Sequence, residues 1–390
     1  MNTLEPIDLR APDVAVRFAG VQEVRPTAEG VALSRLSSAA LRQVVVPGVH
    51  MMAGFMAGAR LEFLSDTTTV EIELQVTRIM LPEGEPFSVS VDLVVDGELV
   101  ANEAVPRGTV LRLRSLDPPD FELEEGGPSS IRFEGLPSGD KRIEVWLPHN
   151  AAVEVRALRV DPGSRAMRPK ETRRRWVHYG SSISHCVEAL RPTSVWPALV
   201  ARRADVDLLS LAFAGEAQLD QFVARDIRDL DVDLVSLKLG INVVNADTMR
   251  ERAFVPAVHG FLDTIRDGHP KVPIVVATPI ICPVAEERPG PTRLDDDHQL
   301  YAVDRTLDDS IGALSLSRIR ELLELVVTTR REQGDDHLFL VSGLDLFGPD
   351  DVADLADGLH PNPDGQARIA ERFHRLTFGA GGPFAEQRGC

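Results

Sequence analysis

The chain has 390 residues, 43% of them hydrophobic and 26% charged, and a formal net charge of −18. That length leaves room for two domains, the composition is that of a globular protein, and so acidic a surface repels phosphate backbones, which argues against a nucleic-acid partner. Met1-Asn2-Thr3-Leu4-Glu5-Pro6 has neither a basic start nor an apolar core, and no apolar run reaches bilayer length, so a cytoplasmic protein without a membrane partner is expected. The cysteines, Cys186, Cys282 and Cys390, are an odd and widely spaced set. They make no disulfide framework and no thiolate metal site, and they fit a reducing compartment.

Residues from about 10 to 160 read as all-β. Val70, Ile72, Leu74 and Val76 alternate with polar residues, as do Phe87, Val89, Val91, Leu93 and Val95. Asp96-Gly97 marks a hairpin turn into Glu98-Leu99-Val100. Further alternating runs lie at 110–113, 131–133, 143–147 and 153–155. Period-two runs between Gly, Pro and Asp turns predict a β-sandwich of jelly-roll type. This half shows no catalytic constellation.

A connector follows, with Asp161-Pro162-Gly163-Ser164 and then the basic run Arg168-Pro169-Lys170-Glu171-Thr172-Arg173-Arg174-Arg175. Its composition marks a domain boundary, and the basic run reads as a solvated linker.

Beyond Trp176 strands and helices alternate. Apolar strand-like runs lie at 177–179, 208–213, 234–239, 272–278 and 338–341, with helical patterns near 195–204, 249–266 and 316–333 and a last one starting about Gly365. This rhythm predicts a mostly parallel sheet covered on both faces, an α/β fold whose ligands bind beyond the carboxyl ends of the strands. The stretch 283–312, rich in Pro, Asp, Glu and Arg, is too long for an ordinary connection and reads as a lid. Its Asp295-Asp296-Asp297-His298 run reads as a solvated loop face rather than a metal site.

Four short motifs stand just past the predicted strands or before the last helix: Gly180-Ser181-Ser182, Ala214-Gly215-Glu216, Gly240-Ile241-Asn242 and Asp357-Gly358-Leu359-His360. Acyl transfer needs a serine hydroxyl, a base within hydrogen-bond reach of it, and an acid that fixes the imidazole tautomer. Ser182, His360 and Asp357 supply these residue types. The N–H groups of Ser182 and Gly215 and the side-chain amide of Asn242 are candidate oxyanion donors. His178, His185, His259 and His337 read as packing or surface histidines, with His185 near enough in sequence to Ser182 to line a pocket.

In this order the motifs resemble the blocks of the SGNH (GDSL-type) hydrolase family, over roughly residues 176–378. The family's nucleophile falls on Ser182, its second-block glycine on Gly215, its third-block asparagine on Asn242, and its Asp-x-x-His on Asp357 and His360. Ser181 and Val243 stand where the family has aspartates, positions that are neither nucleophile, base nor oxyanion donor. The resemblance implies a flavodoxin-like parallel-sheet catalytic domain over 176–390. Before it come a carbohydrate-binding-module-like sandwich over 1–160 and a linker over 161–175.

This two-part plan is similar to two groups in the family, exported carbohydrate esterases and GDSL-type acyltransferases of polyketide tailoring. The second group implies acyl-CoA as donor, an aryl, salicylyl-like acyl group, a small-molecule hydroxyl acceptor, and no bound cofactor or metal. The absence of an export signal favours it. An ester hydrolase with the same triad is the alternative, and a binding module joined to an inert second half is a third reading. Oligomeric state stays open.

Overall fold

Apolar–polar alternation in the first half builds two sheets whose apolar faces meet. The computed structural model describes residues 3–80, 87–116, 119–295 and 299–386. Cys390 and Asp296-Asp297-His298 lie outside them. One sheet runs in the order Pro119–Glu124, Thr109–Leu116, Val70–Met80, Ala151–Val160, Val31–Ser34, Glu23–Pro26. The other runs Ala166–Met167, Arg60–Ser65, Lys141–Trp146, Ser90–Val95, Glu98–Ala104. Val70, Ile72, Leu74 and Val76 from the first share one core with Leu61, Phe63, Val91, Leu93, Ile143 and Val145 from the second. Neighbouring strands are antiparallel apart from one parallel pair, Val70–Met80 with Thr109–Leu116.

The first half is not wholly β. Short helices form at Ser38–Leu41 and Pro47–Gly54, the first capped by the Ser37 side chain and the second opened by Pro47. Val49, Met52, Ala53 and Phe55 pack into the core of the second half, not that of the sandwich. The period there is set by a partner that sequence does not reveal.

The second half is a five-stranded parallel sheet ordered Asp207–Ala212, Arg175–Gly180, Leu234–Lys238, Ile274–Ala277, Leu338–Val341. This is the doubly wound, flavodoxin-like order, and the strand order reverses beside Arg175–Gly180, where such folds place their sites. Helices Trp196–Ala204, Glu251–Gly268, Leu316–Glu332 and Pro363–Thr377 match the periodic segments to within a few residues. A further helix, Gln221–Asp229, went unrecognised in the sequence. Trp176, Trp196 and Phe373 pack ring on ring beneath the sheet. Each such side chain contributes about 1.5–3 kcal/mol by leaving water.

The connector is more than a solvated linker. Ala166–Met167 adds to the Arg60–Ser65 strand, and Glu171 and Arg173 enter an ion-pair cluster between the halves. Arg60 reaches Glu62 at 2.6 Å and Asp207 at 2.8 Å, Arg173 reaches Glu62 at 2.8 Å, and Arg17 binds Glu171 at 2.7 Å and also Asp207. Glu62, Glu171 and Asp207 stand close enough together to hold a cation. Guanidinium groups fill that role. Among the described residues no helix is long and apolar enough to cross a membrane.

The segment 283–312 carries a small hairpin, Thr292–Leu294 with Leu300–Ala302. It is tied to the loop after Asn242 by Arg305 to Asp247 and by Arg250 to the Asp309 carbonyl at 2.8 Å.

Candidate active site

The strand Arg175–Gly180 delivers Ser182 to the carboxyl edge of the sheet. At Gly180 a Cβ would stand 2.5 Å from Ser184 Oγ and 3.2 Å from His178 Nε2, so only glycine fits the turn. A four-residue helical turn, Ser182–His185, follows, with Ser181 before it and Cys186 closing it at φ +56°. The turn is pinned from below. His178 lies between Ser236 Oγ at 2.7 Å and Ser184 Oγ at 2.8 Å, and the Trp196 indole donates to the Ile183 carbonyl at 2.9 Å. His178 is therefore a packing histidine, as its sequence context suggests. His185 is buried, bonded to the His149 carbonyl at 2.9 Å, and sits edge-on to Phe55.

His360 arrives from the far end of the chain on the loop before Pro363–Thr377, a helix capped by Asn362. Asp357 Oδ1 accepts the backbone N–H groups of Leu359 at 2.9 Å and His360 at 2.6 Å, which folds the loop onto itself. Its Oδ2 meets His360 Nδ1 at 2.7 Å, and His360 Nε2 meets Ser182 Oγ at 2.8 Å. With Nδ1–H donated to the carboxylate, Nε2 is left to accept the serine proton. The three residues picked from sequence thus form one hydrogen-bonded chain.

Electrostatics follow from this packing. Burial alone would raise the Asp357 pKa; the His360 hydrogen bond and charge, with the two backbone N–H groups, outweigh it and bring it down to about 2. Burial alone would make His360 less basic; the hydrogen bond to Asp357 and the charges of Glu188 and Asp357 outweigh it and raise its pKa. Asp357 is therefore ionised at neutral pH and holds a basic imidazole.

Gly215 stands on the loop after Asp207–Ala212, and Asn242 in the first turn of a short helix, Ile241–Ala246, after Leu234–Lys238; these two strands flank Arg175–Gly180. Gly215 has φ +75°, open to glycine at no cost. Asn242 Oδ1 accepts the Ala217 N–H at 3.1 Å, so its amide is oriented and Nδ2 is the donor end. Gly240, ahead of it, has φ +109° with Ile319 packed where a Cβ would go. Val243, at a position where the family has aspartate, is fully buried in the core. Ser181 is buried and its hydroxyl has no partner among the described residues.

Two groups at the site escaped sequence reasoning. Glu188 Oε1 lies 3.9 Å from His360 Nδ1, and Cys282 Sγ lies under the His360 loop, 3.5 Å from the Gly358 carbonyl. Nothing in the sequence links Glu188 to a histidine so far along the chain.

The parallel-sheet fold and the hydrogen-bonded relay are similar to those of SGNH (GDSL-type) enzymes, which include acyltransferases and esterases. Residues 173–283 match the model of the GDSL-like Lipase/Acylhydrolase family. Among solved structures, the chain is similar to the salicylyl-acyltransferase SsfX3 from a tetracycline biosynthetic pathway, with TM-score 0.78 and 25% identity, covering 95% of this chain and 96% of that one. A putative GDSL-like lipase from Bacteroides ovatus shares the fold with TM-score 0.67 and 16% identity, covering 95% of both chains. A family two carbohydrate esterase from Cellvibrio japonicus does so with TM-score 0.57 and 15% identity, covering 95% and 96%. No curated protein sequence matches the chain.

Proposed function

We propose that the chain is a serine-nucleophile acyltransferase. It moves an aryl, salicylyl-like acyl group from a CoA thioester to a hydroxyl of a polyketide natural product through an acyl-Ser182 intermediate. The observation that carries this reading is the hydrogen-bonded chain from Ser182 through His360 to Asp357, with links of 2.8 and 2.7 Å.

His360 takes the Ser182 proton as Oγ attacks the thioester carbonyl, and Asp357 balances the imidazolium that forms. The N–H groups of Ser182 and Gly215 and the Asn242 amide stabilise the oxyanion. Collapse breaks the carbon–sulfur bond, and the leaving thiolate receives the proton from His360. The acceptor hydroxyl then gives its proton to His360 and attacks the acyl carbonyl. Ser182 leaves and is reprotonated.

Similarity to a salicylyl-acyltransferase over 95% of the chain supports transfer and the choice of acyl group. In the same reading residues 1–160 form the sandwich unit, 161–175 join it, and 176–390 carry the chemistry. The reaction then runs on small molecules in the cytoplasm, where CoA thioesters are found.

Hydrolysis is the second reading. The Asp357 and His360 side chains are 45% and 18% exposed, so water reaches the relay.

Intact-mass measurement with acyl-CoA thioesters and p-nitrophenyl esters separates the two. An acyl adduct is expected on the wild type and on neither Ser182→Ala nor His360→Ala. Mass gained by a hydroxyl acceptor supports transfer, and free acid alone supports hydrolysis. Undiminished turnover in Ser182→Ala overturns both.

A further inference from the structure

Two carboxylates face the same imidazole nitrogen. Asp357 Oδ2 holds His360 Nδ1 at 2.7 Å, and Glu188 Oε1 stands 3.9 Å from it. They come from different places. Asp357 shares the loop of His360, whereas Glu188 lies on the loop that leaves the nucleophile turn. That loop is held in place. Cys186 Sγ bonds the Ile183 carbonyl at 3.2 Å, Ala189 N–H bonds the Cys186 carbonyl at 2.9 Å, and Asn150 from the sandwich half donates to the Val187 carbonyl at 3.3 Å. Among the described residues His360 is the one ion-pair partner of Glu188, and no hydrogen bond engages its carboxylate. A carboxylate held near an imidazole, and spent on nothing else, interacts with one protonation state of that ring.

We infer that Glu188 is a positioning residue acting through His360: a second carboxylate that stabilises the imidazolium and supports the ring when Asp357 is lost. The inference rests on the roles proposed for Ser182 and His360.

The physical argument is one of timing. A neutral imidazole gains almost nothing from an anion 3.9 Å away. When His360 takes the Ser182 proton, the same anion becomes attractive, so Glu188 favours the transition state over the resting enzyme. Because the Glu188 side chain is 36% exposed, water screens part of the effect. The loss on neutralising it is accordingly modest, roughly two- to fivefold in rate. The titratable groups that face His360 are Asp357, on its own loop, and Glu188, on the loop after the Ser182 turn.

The test uses the full chain labelled with nitrogen-15 histidine and titrated by NMR, with the His360 resonance assigned from its absence in His360→Ala. Glu188→Gln should lower the His360 pKa while leaving the other histidines unmoved. With p-nitrophenyl acetate, the same variant should shift the acid limb of the acylation rate to lower pH and cut the plateau roughly two- to fivefold. In an Asp357→Asn background Glu188→Gln should cost a larger factor than in the wild type, and Glu188→Asp should restore part of the loss. An unchanged His360 titration in Glu188→Gln, or equal losses in the two backgrounds, overturns the inference. The NMR readout needs no turnover. If the wild type forms no acyl adduct, the acyl-transfer reading falls while the Glu188–His360 coupling is still measured.

Discussion

Single side chains set the chemistry through the bonds that orient them. Asn242 shows this best, because the Ala217 N–H occupies its carbonyl oxygen and leaves Nδ2 as the end that can donate. Asn242→Asp keeps an acceptor for Ala217 and replaces the donor with an anionic oxygen. Acylation by a p-nitrophenyl ester should slow by about 10²-fold or more while the thermal midpoint moves little. An unaltered rate would remove Asn242 from the oxyanion site. At this scale much was legible. Asp357 and His360 sit three apart on a loop, a spacing that lets one residue hold the other, and Gly-Ser-Ser after an apolar strand exposes a hydroxyl. Glu188 was not legible, because only folding brings it to His360. Nor was Lys238, which reads as an ordinary polar end of a strand. The structure buries it with no hydrogen-bond partner among the described residues, and burial lowers its pKa to about 7.

Elements place those side chains, and the turn from Arg175–Gly180 into Ser182–His185 does most of the placing. Gly180→Ala would drive a methyl into Ser184, a short side chain already committed to His178. The expected cost is about 1–3 kcal/mol of stability, read from denaturant melts, together with a drop in Ser182 acylation larger than the melt explains. A fully active Ala variant would show that the turn tolerates displacement. All five parallel strands were readable as apolar runs because both faces of that sheet are covered, and the long helices showed their period. Gln221–Asp229 was missed although Val223 and Ile227 stand four apart and both face the core. Pro47–Gly54 escaped because its apolar residues face a core belonging to distant sequence. The strand Arg60–Ser65 does alternate, with Leu61 and Phe63 inward, but its Arg60 and Glu62 disguise the other face as solvent-exposed when the second half covers it.

Across the whole molecule, that covered face joins the halves by charge. Burial alone would raise the Glu171 pKa; the hydrogen bonds and charge of Arg173, with the charge of Arg17, outweigh it and hold it at about 2. Glu62 is depressed further by Arg60, Arg173 and Arg17 against its own burial. A depressed carboxylate contributes stability that is fully present above its unfolded pKa, about 4.3, and is lost as pH falls through the folded value. Melting temperature should therefore fall between about pH 4 and pH 2. Glu171→Gln should be less stable at neutral pH and show a shallower fall. Equal slopes in the two proteins would mean that Glu171 contributes nothing to the fall. Charge pattern could not reveal this seam, since a basic run beside Pro and Gly looks the same whether water or a carboxylate meets it.

Chain order and packing disagree over one piece. Val49, Met52, Ala53 and Phe55 precede most of the sandwich in sequence yet fill space beneath the parallel sheet. Arg35 ties the same piece across by donating to the Ser210 carbonyl at 2.6 Å. Cutting between the halves would therefore leave a hole in one and a greasy stub on the other. Evolution cannot trade these two parts as interchangeable cassettes without also rebuilding that shared plug.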